Sequence, residues 1–196
     1  MKKLITTLAL AASIAGAAQA QTTPANTVGI TVGYGRTGLL GNNEYKAVGH
    51  SGYQAGLTAD LYLSEALSFH PEALYTLQYF DATDLALLSR DVSYVNVPLL
   101  ARYHANGLFF EAGPEVNFAL KAVNEGGESV KDQVNPVVLD YVVGLGYQLN
   151  HGPSIGVRYD GGASNVFKSD PNTVLGRGSF KSSTFWLNLG YSFGGK

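Results

Sequence analysis

From Thr27 onward the chain alternates apolar and polar residues with a period of two, in eight separate segments, and this pattern sets the narrowest limit on its fold. Successive side chains of a strand point to opposite faces, so each segment has one apolar and one polar face. In 52–63 the apolar set is Tyr53, Ala55, Leu57, Ala59, Leu61 and Leu63, against Gln54, Gly56, Thr58, Asp60 and Tyr62. In 182–193, Phe185, Leu187, Leu189, Tyr191 and Phe193 alternate with Asn188, Gly190 and Ser192. The other expected strands are 27–36, 66–80, 92–104, 107–121, 138–149 and 153–163. No helical period competes with this one beyond residue 20.

The connections sort by length. Ser64-Glu65, Ala105-Asn106-Gly107 and Asn150-His151-Gly152 are tight turns, and Asn-Gly is a hairpin signal. Between them lie long links at 38–51, 81–91, 122–137 and 164–181. Short and long alternate without a break. An all-β, antiparallel up-and-down barrel with both termini at one end has this property, because all its tight turns fall on one rim. An open sandwich has no reason to sort its loops.

Alternation alone does not say which face is inside. A soluble barrel buries the apolar face, and a membrane barrel exposes it to lipid. The polar face here is rich in glycine, at positions 29, 33, 35, 52, 56, 113, 144, 146, 156 and 190. That suits a narrow lumen that must be filled without crowding, and suits a solvated surface poorly. On the apolar face, aromatic residues such as Tyr34, Tyr53, Tyr79, Tyr103, Phe110, Tyr147 and Tyr191 gather toward strand ends, as interfacial girdles do. Charged residues are 14% of the chain, against about 25% in ordinary soluble domains. The expected fold is therefore an eight-stranded transmembrane barrel.

Composition excludes other classes. With no cysteine, disulfides, thiolate metal sites and lipid-modified cysteine anchors are out. A net charge of −2 argues against nucleic-acid binding. The N-terminus reads as an export leader: Met1-Lys2-Lys3 is basic, 4–17 is apolar, and Ala18-Gln19-Ala20 is a small-residue cleavage site. The expected division is 1–20 as signal peptide and 21–196 as barrel domain. Without Lys2 and Lys3 the remainder carries 11 basic and 15 acidic residues, a net charge of −4.

Tyr94-Val95-Asn96-Val97-Pro98-Leu99-Leu100-Ala101-Arg102-Tyr103, followed by Phe109-Phe110-Glu111-Ala112-Gly113-Pro114-Glu115-Val116, resembles the PorT-like outer-membrane β-barrel domain family. Members of that family show a Y-(I/V)-x-(I/V)-P-L-L-x-(K/R)-Y strand, an Asn-Gly-type turn and a (F/Y)-x-E-A-G-P strand. They often carry Glu at the position of Asn96. The resemblance extends in outline from Thr27 to Phe193 and implies an eight-stranded outer-membrane barrel.

The candidate chemistry lies on the polar face. Asp60, Glu72, Arg102, Glu111, Glu115, Lys121, Asp140, Arg158 and Asp160 are expected to point into the lumen. Shielded charge is costly unless paired, so these groups are read as a structural network with Arg102 and Arg158 as hubs. His70 and His104 fall on the same face, while His50 and His151 lie in connections. No His-x-His or HExxH spacing occurs, so no metal or other cofactor is expected. The loops at 38–44 and 125–128 read as flexible surface turns. Expected partners are outer-membrane lipid and lipopolysaccharide; Lys168, Arg177 and Lys181 in the last loop can meet its phosphates, although a solvated loop is the commoner reading of such charges. The barrel-assembly machinery is expected to read Gly190, Tyr191 and Phe193.

The expected protein is a monomeric outer-membrane barrel of structural, adhesive or envelope-related role, without catalysis. Two alternatives stand beside it. One is a lipid A deacylase or acyltransferase, for which His50-Ser51 is the nearby pair. The other is a soluble, secreted lipocalin-like binding barrel.

Overall fold

A computed structural model describes residues 23–40, 48–81, 90–124, 126–149, 152–168 and 181–194. The expected leader, Asn150, His151 and Arg177 lie outside these residues. Eight antiparallel strands close a barrel in chain order: β1 Thr27–Leu40, β2 Val48–Tyr62, β3 Leu67–Asp81, β4 Arg90–Ala105, β5 Leu108–Asn124, β6 Val137–Gln148, β7 Pro153–Gly162 and β8 Lys181–Phe193. β1 pairs β8 in one register from Val28↔Phe193 to Leu40↔Lys181, so the sheet has no free edge. A short 3-10 turn, Lys131–Gln133, sits between β5 and β6. Among the described residues no helix is long and apolar enough to cross a membrane, and any crossing is made by strands.

The faces fall as the alternation predicts. Val28, Ile30, Val32 and Tyr34 of β1, and Leu139, Tyr141, Val143, Leu145 and Tyr147 of β6, are exposed on the outer wall. Gln54, Asp60, His70, Glu72, Thr76, Arg102, Glu111 and Arg158 are buried inside. This is the inside-out distribution of a barrel whose solvent is lipid. Aromatic residues pair along the outer wall. Tyr34 and Tyr53 lie 5.4 Å apart, and Tyr159 and Phe185 lie 4.8 Å apart, toward the long-loop rim. Tyr191 and Phe193, 5.0 Å apart, mark the turn rim.

Local backbone chemistry fixes the turn rim. Asn106 and Gly107 have φ of 52° and 87°, the paired positive values of a type I′ hairpin turn. Inside the wall, Gly35 makes room for the chain's single tryptophan: a Cβ there would lie 2.5 Å from the Trp186 ring.

Three features depart from the sequence reading. The strands run further toward the long-loop rim, β1 to Leu40 rather than 36 and β2 from Val48 rather than 52. Past the apolar band the backbone still needs its hydrogen bonds, so the wall continues although the hydrophobic contrast has gone. Lys121 does not enter the lumen and is exposed. Ser93 pairs with Lys121 and Tyr94 with Ala119, which leaves Leu120 as an extra, bulged residue. The bulge turns Leu120 and Lys121 outward together before Ala122 points in again.

The third departure is an apolar plug in the lumen at the long-loop rim. Val130 and Val134 from the β5–β6 connection and Val166 and Phe167 from the β7–β8 connection join Val92, Tyr94, Ala119 and Ala122 in one buried cluster. The two connections are stitched together. Val134 bridges Phe167, the Asn135 N–H donates to the Val166 carbonyl at 2.9 Å, and the Lys168 N–H donates to the Gln133 carbonyl at 3.0 Å. Of the segment expected as a loose turn at 125–128, residues 126–128 are described, and the Glu128 N–H donates to Asn124 Oδ1 at 2.8 Å.

Candidate functional site: a polar ring across the lumen

Six side chains from five strands close a ring of polar contacts across the barrel. It begins on β2 and β3, where His70 Nδ1 meets Asp60 Oδ1 at 2.8 Å and His70 Nε2 meets Glu72 Oε1 at 2.9 Å. Glu72 accepts from Arg158 of β7 at two points, Nη1 to Oε2 at 2.7 Å and Nη2 to Oε1 at 3.0 Å. Arg158 also donates to Glu111 Oε1, from Nε at 2.9 Å and from Nη2 at 2.8 Å. The second oxygen of Glu111 accepts from Arg102, whose Nε and Nη2 lie 3.0 and 2.7 Å away. Arg102 Nη1 returns to Asp60, 3.2 Å from Oδ2, and closes the ring. The Phe109 ring packs under the Arg102 guanidinium, 4.3 Å from centroid to Cζ.

The strands bring these groups together for simple reasons. Asp60 lies near the turn-rim end of β2. His70 and Glu72 sit two apart on β3, on one face. Arg102 and Glu111 are directly paired in the β4–β5 register. Arg158 reaches in from the far side of the closed sheet. Every member is buried, and guanidinium–carboxylate forks satisfy most of their hydrogen-bonding groups. The cavity beside the ring has a volume of about 30 Å³, more than the roughly 10–15 Å³ that admits one water.

The remaining inward acids sit nearer the plug. Glu115 is paired with Asp140 across β5 and β6, and Asp160 lies on neighbouring β7. Asn96 Nδ2 donates to Glu115 Oε1 at 3.1 Å. Asn117 Nδ2 and Ser182 Oγ donate to Asp140 Oδ2 at 2.9 and 3.0 Å. Among the described residues none of these three acids has a Lys or Arg ion pair. The expected network is therefore two zones: Asp60, Glu72, Arg102, Glu111 and Arg158 in the ring, and Glu115, Asp140 and Asp160 apart from it.

Sequence reading did not place His70 in the ring, although its inward parity was visible. It also missed Ser68, whose Oγ donates to Asp60 Oδ1 at 3.1 Å and lies 2.9 Å from His104 Nε2. Toward the turn rim the lumen opens into a vestibule of about 1020 Å³, with Tyr62, His104, Gln148 and Ser192 in its wall. Tyr62 and His104 stack there, 5.1 Å between centroids. Among the described residues no three His, Asp or Glu side chains converge as metal ligands.

Two solved barrels share this architecture. Neisserial surface protein A aligns over 86% of this chain and 99% of its own, with a TM-score of 0.58 and 11% identity. Ail, the attachment invasion locus protein of Yersinia pestis, aligns over 86% and 99%, with a TM-score of 0.53 and 19% identity. At such identities the likeness is one of fold. No curated protein matches the sequence. The family of outer membrane protein beta-barrel domains matches residues 18–194, nearly the whole length. An inside-out closed barrel of eight strands and a family match over that length lead to one conclusion: the chain belongs to the outer membrane protein beta-barrel domain family.

Proposed function

We propose that this protein is a non-catalytic, non-conducting envelope barrel that acts through its outer wall and external rim, in a structural or adhesive role. The observation that carries this reading is the lumen. It is crossed by the ring from Asp60 to Arg158 and stoppered by Val130, Val134, Val166 and Phe167. A lumen crossed and stoppered in this way has no through-path, which leaves the outer wall, the long-loop rim and the turn-rim vestibule for contact with other molecules. Outer-membrane barrels place tight turns in the periplasm and long loops outside, so the plugged rim faces the exterior. Ail, whose fold is similar, is named for attachment.

The finer family assignment within this reading is PorT-like. The motif behind it coincides with the lumen chemistry, since Arg102 and Glu111 form a ring pair and Asn96 bonds Glu115. The absence of catalysis is likewise part of the proposal. Ser68 is fully buried, and its one hydroxyl hydrogen goes to Asp60. With that hydrogen on Asp60, none is left on Ser68 for His104 Nε2 to take as a base.

Deletion and complementation test this reading. Lipid A mass spectra of cells with and without the protein should be identical, while detergent sensitivity or surface attachment should change. A protein-dependent change in lipid A acyl chains would overturn it in favour of a lipid-modifying enzyme.

A further inference from the structure

The lumen carries unbalanced charge. Its buried ionisable residues include six carboxylates, on Asp60, Glu72, Glu111, Glu115, Asp140 and Asp160, against the guanidiniums of Arg102 and Arg158 and the imidazole of His70. The ring uses both guanidiniums on Asp60, Glu72 and Glu111. The excess lies beneath the plug, around Asp140. Uncompensated charge in a shielded site is costly, and it is relieved either by a proton on the acid or by a bound cation.

The same place holds unmet oxygen atoms. Because Asn96 and Asn117 spend their amide nitrogens on Glu115 and Asp140, their carbonyl oxygens are turned elsewhere. Asn96 Oδ1, Asn117 Oδ1 and Asp140 Oδ1 are all buried and have no hydrogen-bond partner. All three residues are more than nine-tenths buried. All three line one small cavity, together with Gln78, Tyr94 and Ser182. Its volume is about 10 Å³, room for a single small occupant. One water has two hydrogens to give, fewer than the unmet acceptors. A single cation can take lone pairs from several of these oxygens and offsets one negative charge, that of Asp140.

We propose that this cavity binds one monovalent metal cation of sodium size, held by the Asn96 and Asn117 carbonyl oxygens and the Asp140 carboxylate. The donor set selects the class of ion. Calcium takes six to eight oxygens, commonly several of them carboxylate, and magnesium keeps waters that need space. Here one carboxylate and neutral oxygens line a cavity too small for a hydrated ion. This site goes beyond the surface role proposed above and is independent of it. It lies between the ring and the plug, where a bound ion ties β4, β5 and β6 together.

The test uses the full-length folded barrel in detergent. Its thermal midpoint is followed by Trp186 fluorescence while sodium chloride replaces choline chloride at constant ionic strength. Ligand binding to the folded state alone stabilises it in proportion to the logarithm of ligand concentration. Above half-saturation, each tenfold rise in sodium should raise the midpoint by about 3–6 °C. Asp140→Asn should flatten that dependence. Equilibrium dialysis of the wild type with radioactive sodium should give one ion per barrel, a readout that holds even if Asp140→Asn fails to fold. A midpoint indifferent to the exchange, with no bound sodium, would overturn the proposal and leave the cavity to water. Stabilisation by calcium at far lower concentration than sodium would also overturn it.

Discussion

Arg158 of β7 and Glu72 of β3 meet across the barrel in a two-point fork, with nitrogen–oxygen distances of 2.7 and 3.0 Å. They come from strands that are not sheet neighbours, so their contact is a strut through the lumen. Removing one partner of a buried pair costs about 3–5 kcal/mol because the other charge is stranded. Arg158→Met should lower stability by about that order in urea unfolding from lipid vesicles. Arg158→Met combined with Glu72→Gln should recover much of the loss, since Glu111 keeps Arg102. Equal instability of the single and double variants would deny the strut.

The two faces of β6 should respond oppositely to charge. Leu145 is 51% exposed on the outer wall, where an arginine costs about 2–4 kcal/mol at mid-bilayer. Gln148 points inward, and its Nε2 donates to Ser192 Oγ at 3.0 Å. Leu145→Arg should fold poorly into vesicles. Gln148→Glu should fold nearly as well as wild type, because Ser192 can reverse that hydrogen bond. Gel mobility before and after boiling reads both yields.

The tight turn at Asn106-Gly107 should tolerate little change. Gly107 has φ of 87°, and a Cβ there would lie 2.8 Å from the Tyr147 ring. Gly107→Ala should destabilise the barrel by about 1–2 kcal/mol through left-handed strain alone. Asn106→Gly, which keeps the turn's backbone freedom, should fall within about 1 kcal/mol of wild type. Vesicle unfolding curves for the two variants make the comparison.

Trp186, buried inside the wall beside Gly35, reports on access to the lumen. It is the only tryptophan in the chain and is 2% exposed. Its emission should be blue-shifted and resist quenching by acrylamide. Phe167→Asp places a charge in the apolar cluster beneath the external rim and should raise the quenching constant severalfold while the barrel stays folded. Unchanged quenching would mean that these loops do not seal the lumen.

Much of this was readable from residue order. A period of two is a local property, so the inward parity of Asp60, Glu72, Arg102, Glu111 and Arg158 followed from each strand alone. The Arg158–Glu72 partnership did not, because it depends on barrel closure and on side chains 86 positions apart. Lys121 was misplaced because a bulge breaks the period at Leu120 without a glycine to announce it. The plug was invisible for a different reason. Val130, Val134, Val166 and Phe167 follow no period, and only the docking of two connections makes them a cluster.

Conductance is the most direct measurement of the closed lumen. Purified wild-type barrel, shown to be folded by its heat-shifted gel band, is inserted into planar bilayers in concentrated potassium chloride. Ring and plug together predict seals with no steady conductance steps at either polarity. Reproducible unitary steps from the wild-type protein would contradict a lumen blocked by Glu72, Glu111, Arg102 and Arg158.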